Sequence, residues 1–491
     1  MLSEYFTPVD LLVLRPVILL TLFGIGVLLT DLLLDDRHKY FNAITALVGV
    51  AFAALQMWLM QAQMREARIT EIEAFRGAIL FDRFGIYFTW IFLISTAIAI
   101  LIAIRYLEIE REHRGEHYAI MLFATAGMIL LATGMDLVTL FVALELMVIS
   151  VYILTGSLRR DRRSNEAALK YLLLGAFSSG ILAYGMSLLY GIGGSTRLLQ
   201  IAWAVSQRPV GDPLVLLATV TVMAGLFFKI GAVPFHQWLP DAYEGAPHSI
   251  TAFMSVGPKA ASFAFLLRMF LLPLAPQREQ WLPLVIGVAV ATMTLGNLAA
   301  ISQSNIKRLL GYSAISHAGY MLLGLVSGNE TGLKGIAVYL LVYTFMNMGA
   351  FAVVIAMRRK DLIGDTLDDM AGLIYKSPAA AVLMLIFLLS LAGIPPTAGF
   401  LGKYFIFLSL IETGHHTLAV IAVLYVAVAL YYYFRIVAIM FMREPEDQEL
   451  PSLSPGIRLV LGVTAAMTLL IGLYPEPFIQ IAGGTVFSVM R

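Results

Sequence analysis

Runs of roughly 17 to 26 mostly apolar residues recur along almost the whole chain, and a bilayer core about 30 Å thick is crossed by about 20 such residues of helix. They fall near 11–34, 41–62, 80–104, 118–135, 137–157, 168–191, 214–235, 249–272, 282–301, 310–327, 333–357, 377–411, 417–442 and 457–480. Lipid cannot hydrogen-bond free backbone N–H and C=O groups, so a chain of this kind closes its backbone inside helices. The expected fold is an all-α polytopic membrane protein of about fourteen transmembrane helices. Composition agrees: 59% of residues are apolar, 13% are charged and the mean hydropathy is +0.84. The first run lacks the short hydrophobic core and small-residue cleavage site of a secretory signal, and is expected to remain as a span. A net charge of +1 offers no field for nucleic acid. The absence of cysteine excludes a disulfide framework, thiolate metal sites and cysteine-held iron–sulfur clusters, so redox chemistry would fall to another polypeptide.

Two of the runs are broken. The run at 377–411 is too long for one straight span and carries Gly393, Pro395, Pro396 and Gly399 in its middle. The run at 214–235 stops at Gly231 and Pro234. The breaks lie 161 residues apart (395 − 234), and neighbouring runs shift by a similar amount. Five helices separate each pair, and an odd number turns the second copy upside down, the plan in which paired broken helices mark an ion or substrate path. The expected organisation is three N-terminal helices in 1–117, one five-helix repeat in 118–275, its inverted partner in 276–445, and a C-terminal helix in 446–491.

Short cytoplasmic loops carry the excess of lysine and arginine. With the N-terminus outside, the inner loops hold the larger set, including Arg37, Lys39, Arg111, the Arg159–Arg163 cluster, Lys307, Arg308, Arg358, Arg359 and Lys360. The outer set is smaller and includes Arg65, Arg68, Arg76, Arg83, Arg197, Arg278, Lys334 and Arg491. Both termini are therefore expected outside, and the Arg159–Arg163 cluster reads as a topology signal.

Charges inside the spans are the functional signal, because a charge at membrane depth costs at least about 2.5 to 3.5 kcal/mol. Glu145 lies about 12 Å into its run, too deep for a short side chain to reach either interface, and needs a cationic partner or a proton. Lys259 is central in the run 249–272, about 15 Å deep, and Lys403 follows the second break. Lys229 precedes the first break, close enough to the end of its run to snorkel. His317 suits either a bond across helices or a proton relay. Lys170 follows Glu166 by four residues, the spacing of an ordinary surface pair. A buried lysine beside a movable carboxylate can hold and release a proton near neutral pH, so the pattern fits proton relay.

The segments KIGAVPFHQWLPDAYEGAP, SVGPKAASF, SQSNIKRLLGYSAISHAGYMLLG and LAGIPPTAGFLGKYFIF closely resemble the antiporter-like membrane subunits of the bacterial proton-pumping NADH-quinone oxidoreductase, respiratory complex I. The likeness is most specific between about 118 and 442. DAYEGAP and the lysine in the second broken helix favour the subunit N type over subunit M, and the length disfavours subunit L. The wider family includes cation/proton antiporters, so a subunit of a multi-subunit sodium/proton antiporter is the alternative. The resemblance implies that Glu145 is the acidic partner, Lys229 the pumping lysine, Lys259 the connecting lysine and Lys403 the group beside the outlet, with Lys170 modulating the Glu145–Lys229 pair. It assigns no role to His317. It also implies that NADH, FMN, the iron–sulfur clusters and quinone belong to partner subunits, with no cofactor on this chain. Its neighbours would be subunits M, K and J in the bacterial inner membrane.

Overall fold

The computed structural model describes residues 7–35, 38–358, 364–445 and 453–489; Arg37, Arg359, Lys360 and Arg491 lie outside them. The N-terminal helices are α1 (Pro8–Asp31), α2 (Phe41–Glu66) and α3 (Arg83–Glu110), with a β-hairpin, β1 (Glu71–Ala74) and β2 (Ile79–Asp82), between the last two. Its strands pair antiparallel from Glu71↔Asp82 to Ala74↔Ile79. The next group is α4 (Gly115–Thr133), α5 (Leu137–Thr155), α6 (Arg162–Gly193), the short α7 (Leu198–Ser206), α8 (Pro213–Ile230), α9 (Trp238–Gly245) and α10 (His248–Leu271). The third is α11 (Arg278–Ile301), α12 (Ile306–Ser327), α13 (Glu330–Met357), α14 (Leu373–Lys376), α15 (Pro378–Ala392), α16 (Ala398–Glu412) and α17 (His416–Met442). α18 (Pro455–Leu473) and α19 (Glu476–Val489) close the described chain.

Among the described residues, thirteen helices are long and apolar enough to cross a membrane. The remaining expected run, 377–411, is α15 and α16, two halves of one interrupted span. Helix starts follow local chemistry: Asp82, Asp136, Asp161 and Asp212 each accept a backbone N–H of the first turn, and Pro213 fills a position whose N–H has no helical partner.

The spans cross back and forth, so the chain has two ends. The hairpin, α7 and the start of α5 share one end, where Ile79 bridges Gly134 and Asp136 bridges Arg197. The Arg159–Arg163 cluster is at the opposite end, where Arg159 pairs with Glu116 at 2.8 Å. The core runs between them: α10 is buried throughout its apolar stretch, and α12 and α13 nearly so, whereas α1 and α17 present most of theirs outward. Apolar side chains on those outer faces are what lipid solvates at no cost.

Two ion pairs pin the ends. At the hairpin end, Arg268 donates to Asp82 Oδ1 at 2.9 Å and to the Ala132 carbonyl at 2.9 Å, with both side chains essentially inaccessible. At the opposite end Lys307, expected as a loop charge, is buried. It donates to the Ala246 carbonyl at 3.1 Å and lies 3.8 Å from Asp365.

Candidate functional site

The first break is built by α8, which ends at Gly231 with φ +74, a left-handed conformation that favours glycine. A Cβ there would lie 2.5 Å from Leu239 Cδ1. The freed backbone groups find partners: Ala232 N–H donates to the Phe227 carbonyl at 2.8 Å, Trp238 Nε1 to the Phe228 carbonyl at 2.9 Å, and Val233 N–H to Thr292 Oγ1 at 3.0 Å. The second break repeats the device. α15 ends at Gly393 with φ +86, and a Cβ there would meet Lys403 Cδ at 2.8 Å.

Lys229 lies in the last turn of α8 and is buried. Its ammonium donates to Ser179 Oγ at 3.0 Å and to Tyr152 Oη at 3.3 Å. Glu145 is half-buried on α5, and its Oε1 is enclosed with no hydrogen-bond partner among the described residues. Tyr152, seven residues along the same helix, therefore occupies the place expected for the carboxylate beside Lys229. Glu145 is left as an enclosed, underused acceptor, which is the condition for binding a proton or a moving cation.

A cavity of about 10 Å³ separates Lys229 from Lys259, with Tyr171, Trp238, Tyr243 and Ser262 among its walls. That is room for about one water molecule. Lys259, buried on α10, donates to the Ala314 carbonyl of α12 at 2.6 Å and lies 5.7 Å from the centre of the Tyr343 ring. One turn beyond Ala314 is His317, whose ring lies 5.2 Å from that of Tyr343. Both His317 nitrogens are engaged: Nδ1 with Tyr339 Oη at 2.5 Å and Nε2 with Tyr433 Oη at 3.1 Å. Lys403, on α16, follows. Its ammonium is 5.2 Å from the centre of Tyr320 and donates to the carbonyls of Leu391 and Ala392 at 3.0 and 2.8 Å.

The structure thus brings Lys229, Lys259, His317 and Lys403 into one buried line, with Glu145 beside its first member. Lys170 is elsewhere. It is exposed on α6, pairs with Glu166 at 2.8 Å and reaches Asp241 of α9 at 3.1 Å. Arg308 of α12 continues that surface network to Asp241 and Glu244.

Chemically, such a line can pass protons. An imidazole between two hydroxyls can accept a proton at one nitrogen and release one from the other, and hydroxyls both donate and accept. Sequence reasoning missed the hydroxyl members, Tyr152, Ser179, Tyr339 and Tyr433, and the Tyr343 ring that lies against both Lys259 and His317. Only Tyr152 offered a signal, since it shares α5 with Glu145; Ser179, Tyr339, Tyr343 and Tyr433 lie on helices that carry none of the buried charges.

Residues 134–429 match the family described as NADH:quinone oxidoreductase/Mrp antiporter, TM. The chain is 56% identical over 489 residues to NADH-quinone oxidoreductase subunit N 2 of Solibacter usitatus strain Ellin6076, covering 99% of each. It is similar to a chain of respiratory complex I from Thermus thermophilus with bound Aureothin, at 32% identity and a TM-score of 0.81, over 96% of this chain and 100% of that one. A chain of the Mrp complex from Dietzia sp. DQ12-45-1b has the same fold, at 23% identity and a TM-score of 0.82, over 96% and 97% of the two chains. Identity sustained over the full length, on a fold with two interrupted helices around buried lysines, places this chain in the NADH:quinone oxidoreductase/Mrp antiporter membrane-subunit family, among its subunit N proteins.

Proposed function

We propose that this chain is the proton-translocating subunit N of a bacterial NADH-quinone oxidoreductase, and that Glu145, Lys229, Lys259, His317 and Lys403 form its relay. The observation that carries the reading is the buried line of three lysines, since charges at that depth are retained only for a function that repays their desolvation. Glu145 holds or releases the proton of Lys229 through the space beside Tyr152. Lys259 receives it across the small cavity, and His317 connects Lys259 to Lys403. Lys170 acts at a distance, through the Asp241–Arg308 network, on the half-helix that follows the first break.

In this reading residues 118–275 and 276–445 are inverted repeats, and the two glycine-capped breaks support that pairing. The end carrying the Arg159–Arg163 cluster faces the cytoplasm, which puts both termini on the outer side of the inner membrane. Protons enter through the repeat containing Lys229 and leave past Lys403. The chain supplies the route alone: NADH, FMN, iron–sulfur clusters and quinone are handled by other subunits, and its neighbours are the antiporter-like subunit M and the small subunits K and J.

The test is proton uptake by proteoliposomes of the assembled complex in sodium-free medium, with NADH oxidation followed in parallel. The parent is expected to pump, and Lys259→Ala to lose pumping while the complex remains assembled. A strict sodium requirement in the parent would instead favour the sodium/proton antiporter reading.

A further inference from the structure

At the hairpin end, outside the lysine line, a groove of about 840 Å³ opens between α2, α3, α13, α18 and α19. Its size falls within the usual range of about 300 to 1,000 Å³ for sites that bury an organic ligand. The walls toward the bundle are apolar, with Trp90, Phe345 and Met467 among them. Arg65, Arg68 and Arg83 line it toward the hairpin end, at the close of α2, in the turn after it and at the start of α3. All three are exposed, and none makes an ion pair within 4.0 Å among the described residues, nor do the neighbouring acids Glu66 and Glu71 pair with them. Arg68 holds φ +54, an uncommon backbone for a residue other than glycine.

The distribution of charge sharpens the question. Topology concentrates basic residues at the opposite end, yet three arginines converge here on one groove. Positive charge against the positive-inside tendency calls for a local reason. Guanidinium is weakly hydrated and binds phosphate in paired hydrogen bonds, while the groove below offers apolar walls at the depth of acyl chains. Trp90 adds the amphipathic ring that favours the boundary between headgroups and chains.

We propose that this groove binds an anionic phospholipid, its phosphate held by Arg65, Arg68 and Arg83 and one acyl chain lying against Trp90, Phe345 and Met467. The bound lipid would join the N-terminal helices to α13 and the C-terminal helices through a molecule that is neither, and would do so independently of the proton relay.

The test uses the assembled complex in phosphatidylcholine proteoliposomes containing a small fraction of phosphatidylglycerol with a photoactivatable diazirine on its acyl chain. Cross-linked peptides from α3 and α13 are expected, and an equal fraction of diazirine-bearing phosphatidylcholine should label them far less. Excess unlabelled phosphatidylglycerol should abolish the labelling and excess inorganic phosphate should not. Labelling should fall about fivefold for each Arg→Gln change among the three, and by a smaller factor for each Arg→Lys change, which keeps the charge but loses the paired hydrogen bonds. The competition experiment needs only the parent protein, so it decides even if a multiple variant fails to assemble. Equal labelling by the two lipids, displacement by inorganic phosphate alone, unchanged labelling in the Arg65→Gln/Arg68→Gln/Arg83→Gln variant, or a groove cross-linked only to a partner subunit would each overturn the proposal.

Discussion

Lys403 stands in one half of the second interrupted helix and donates its ammonium protons to the carbonyl of Ala392, the last residue of the other half, at 2.8 Å. The charge thereby caps a helix C-terminus, where the backbone dipole and unpaired carbonyls favour a cation. Lys229 is placed differently, before its break and bonded to side-chain hydroxyls. The two lysines are related by their breaks and not by their immediate ligands, so the geometry around Lys403 is the more restrictive.

Gly393 makes room for that lysine. Gly393→Ala adds a Cβ about 2.8 Å from Lys403 Cδ at φ +86, whereas Gly414→Ala meets nothing within 4 Å at φ +77. Both changes carry left-handed strain, about 1 to 3 kcal/mol. Only Gly393→Ala should reduce protons moved per NADH oxidised, and equal losses in the two would show that strain alone is responsible.

Tyr152→Phe removes one of the two hydroxyls bonded to Lys229. Loss of a hydrogen bond to a charged group is worth about 1.5 kcal/mol, so proton-coupled turnover should fall about tenfold. Glu145→Gln should be more severe and Glu145→Asp milder, because the first removes the charge and the second shortens its reach. Pumping at the parent rate by assembled Glu145→Gln would remove Glu145 from the relay.

Asp365 supplies a pH signature outside the spans. Burial pushes its carboxyl upward, but Lys307, then His248 and Arg358, outweigh it and hold the group down at about 2. His248 Nε2 stands 2.5 Å from Asp365 Oδ1, a close contact that lacks the alignment of a hydrogen bond. A depressed carboxylate stabilises the fold above its unfolded value of 3.8, and that contribution is lost as pH falls toward 2. It amounts to about 2 kcal/mol. Asp365→Asn should reproduce the acid effect at pH 7, raising amide exchange in 364–370 about 30-fold, and unchanged exchange would show that the carboxylate does not anchor this segment.

Much of this was legible in the sequence because membrane depth makes its signals coarse. Apolar length located every span, and Gly231, Pro234, Gly393 and Pro395 marked the interruptions. Lys229, Lys259 and Lys403 stood out because charge in an apolar run has few innocuous explanations. The tyrosines did not, since Tyr339, Tyr343 and Tyr433 have the spacing and apolar neighbours of ordinary helix packing, and only the fold turns the Tyr339 and Tyr433 hydroxyls and the Tyr343 ring onto His317. Lys307 was hidden for the opposite reason: a lysine beside a loop reads as a topology charge, and its burial depends on Asp365, 58 residues away (365 − 307). Arg268 and Asp82 are likewise 186 residues apart and meet only through tertiary structure.

In the proposed relay Lys403 loses its proton during each cycle. Lys403→Arg keeps the positive charge, but a guanidinium stays protonated at any accessible pH. The direct measurement is the number of protons translocated per NADH oxidised by proteoliposomes of the assembled Lys403→Arg complex, compared with parent and with Lys403→Ala. Both variants are expected to be deficient in translocation. If Lys403→Arg pumps like the parent, Lys403 does not release a proton in the cycle, and the outlet lies elsewhere, with His317 the first group to examine.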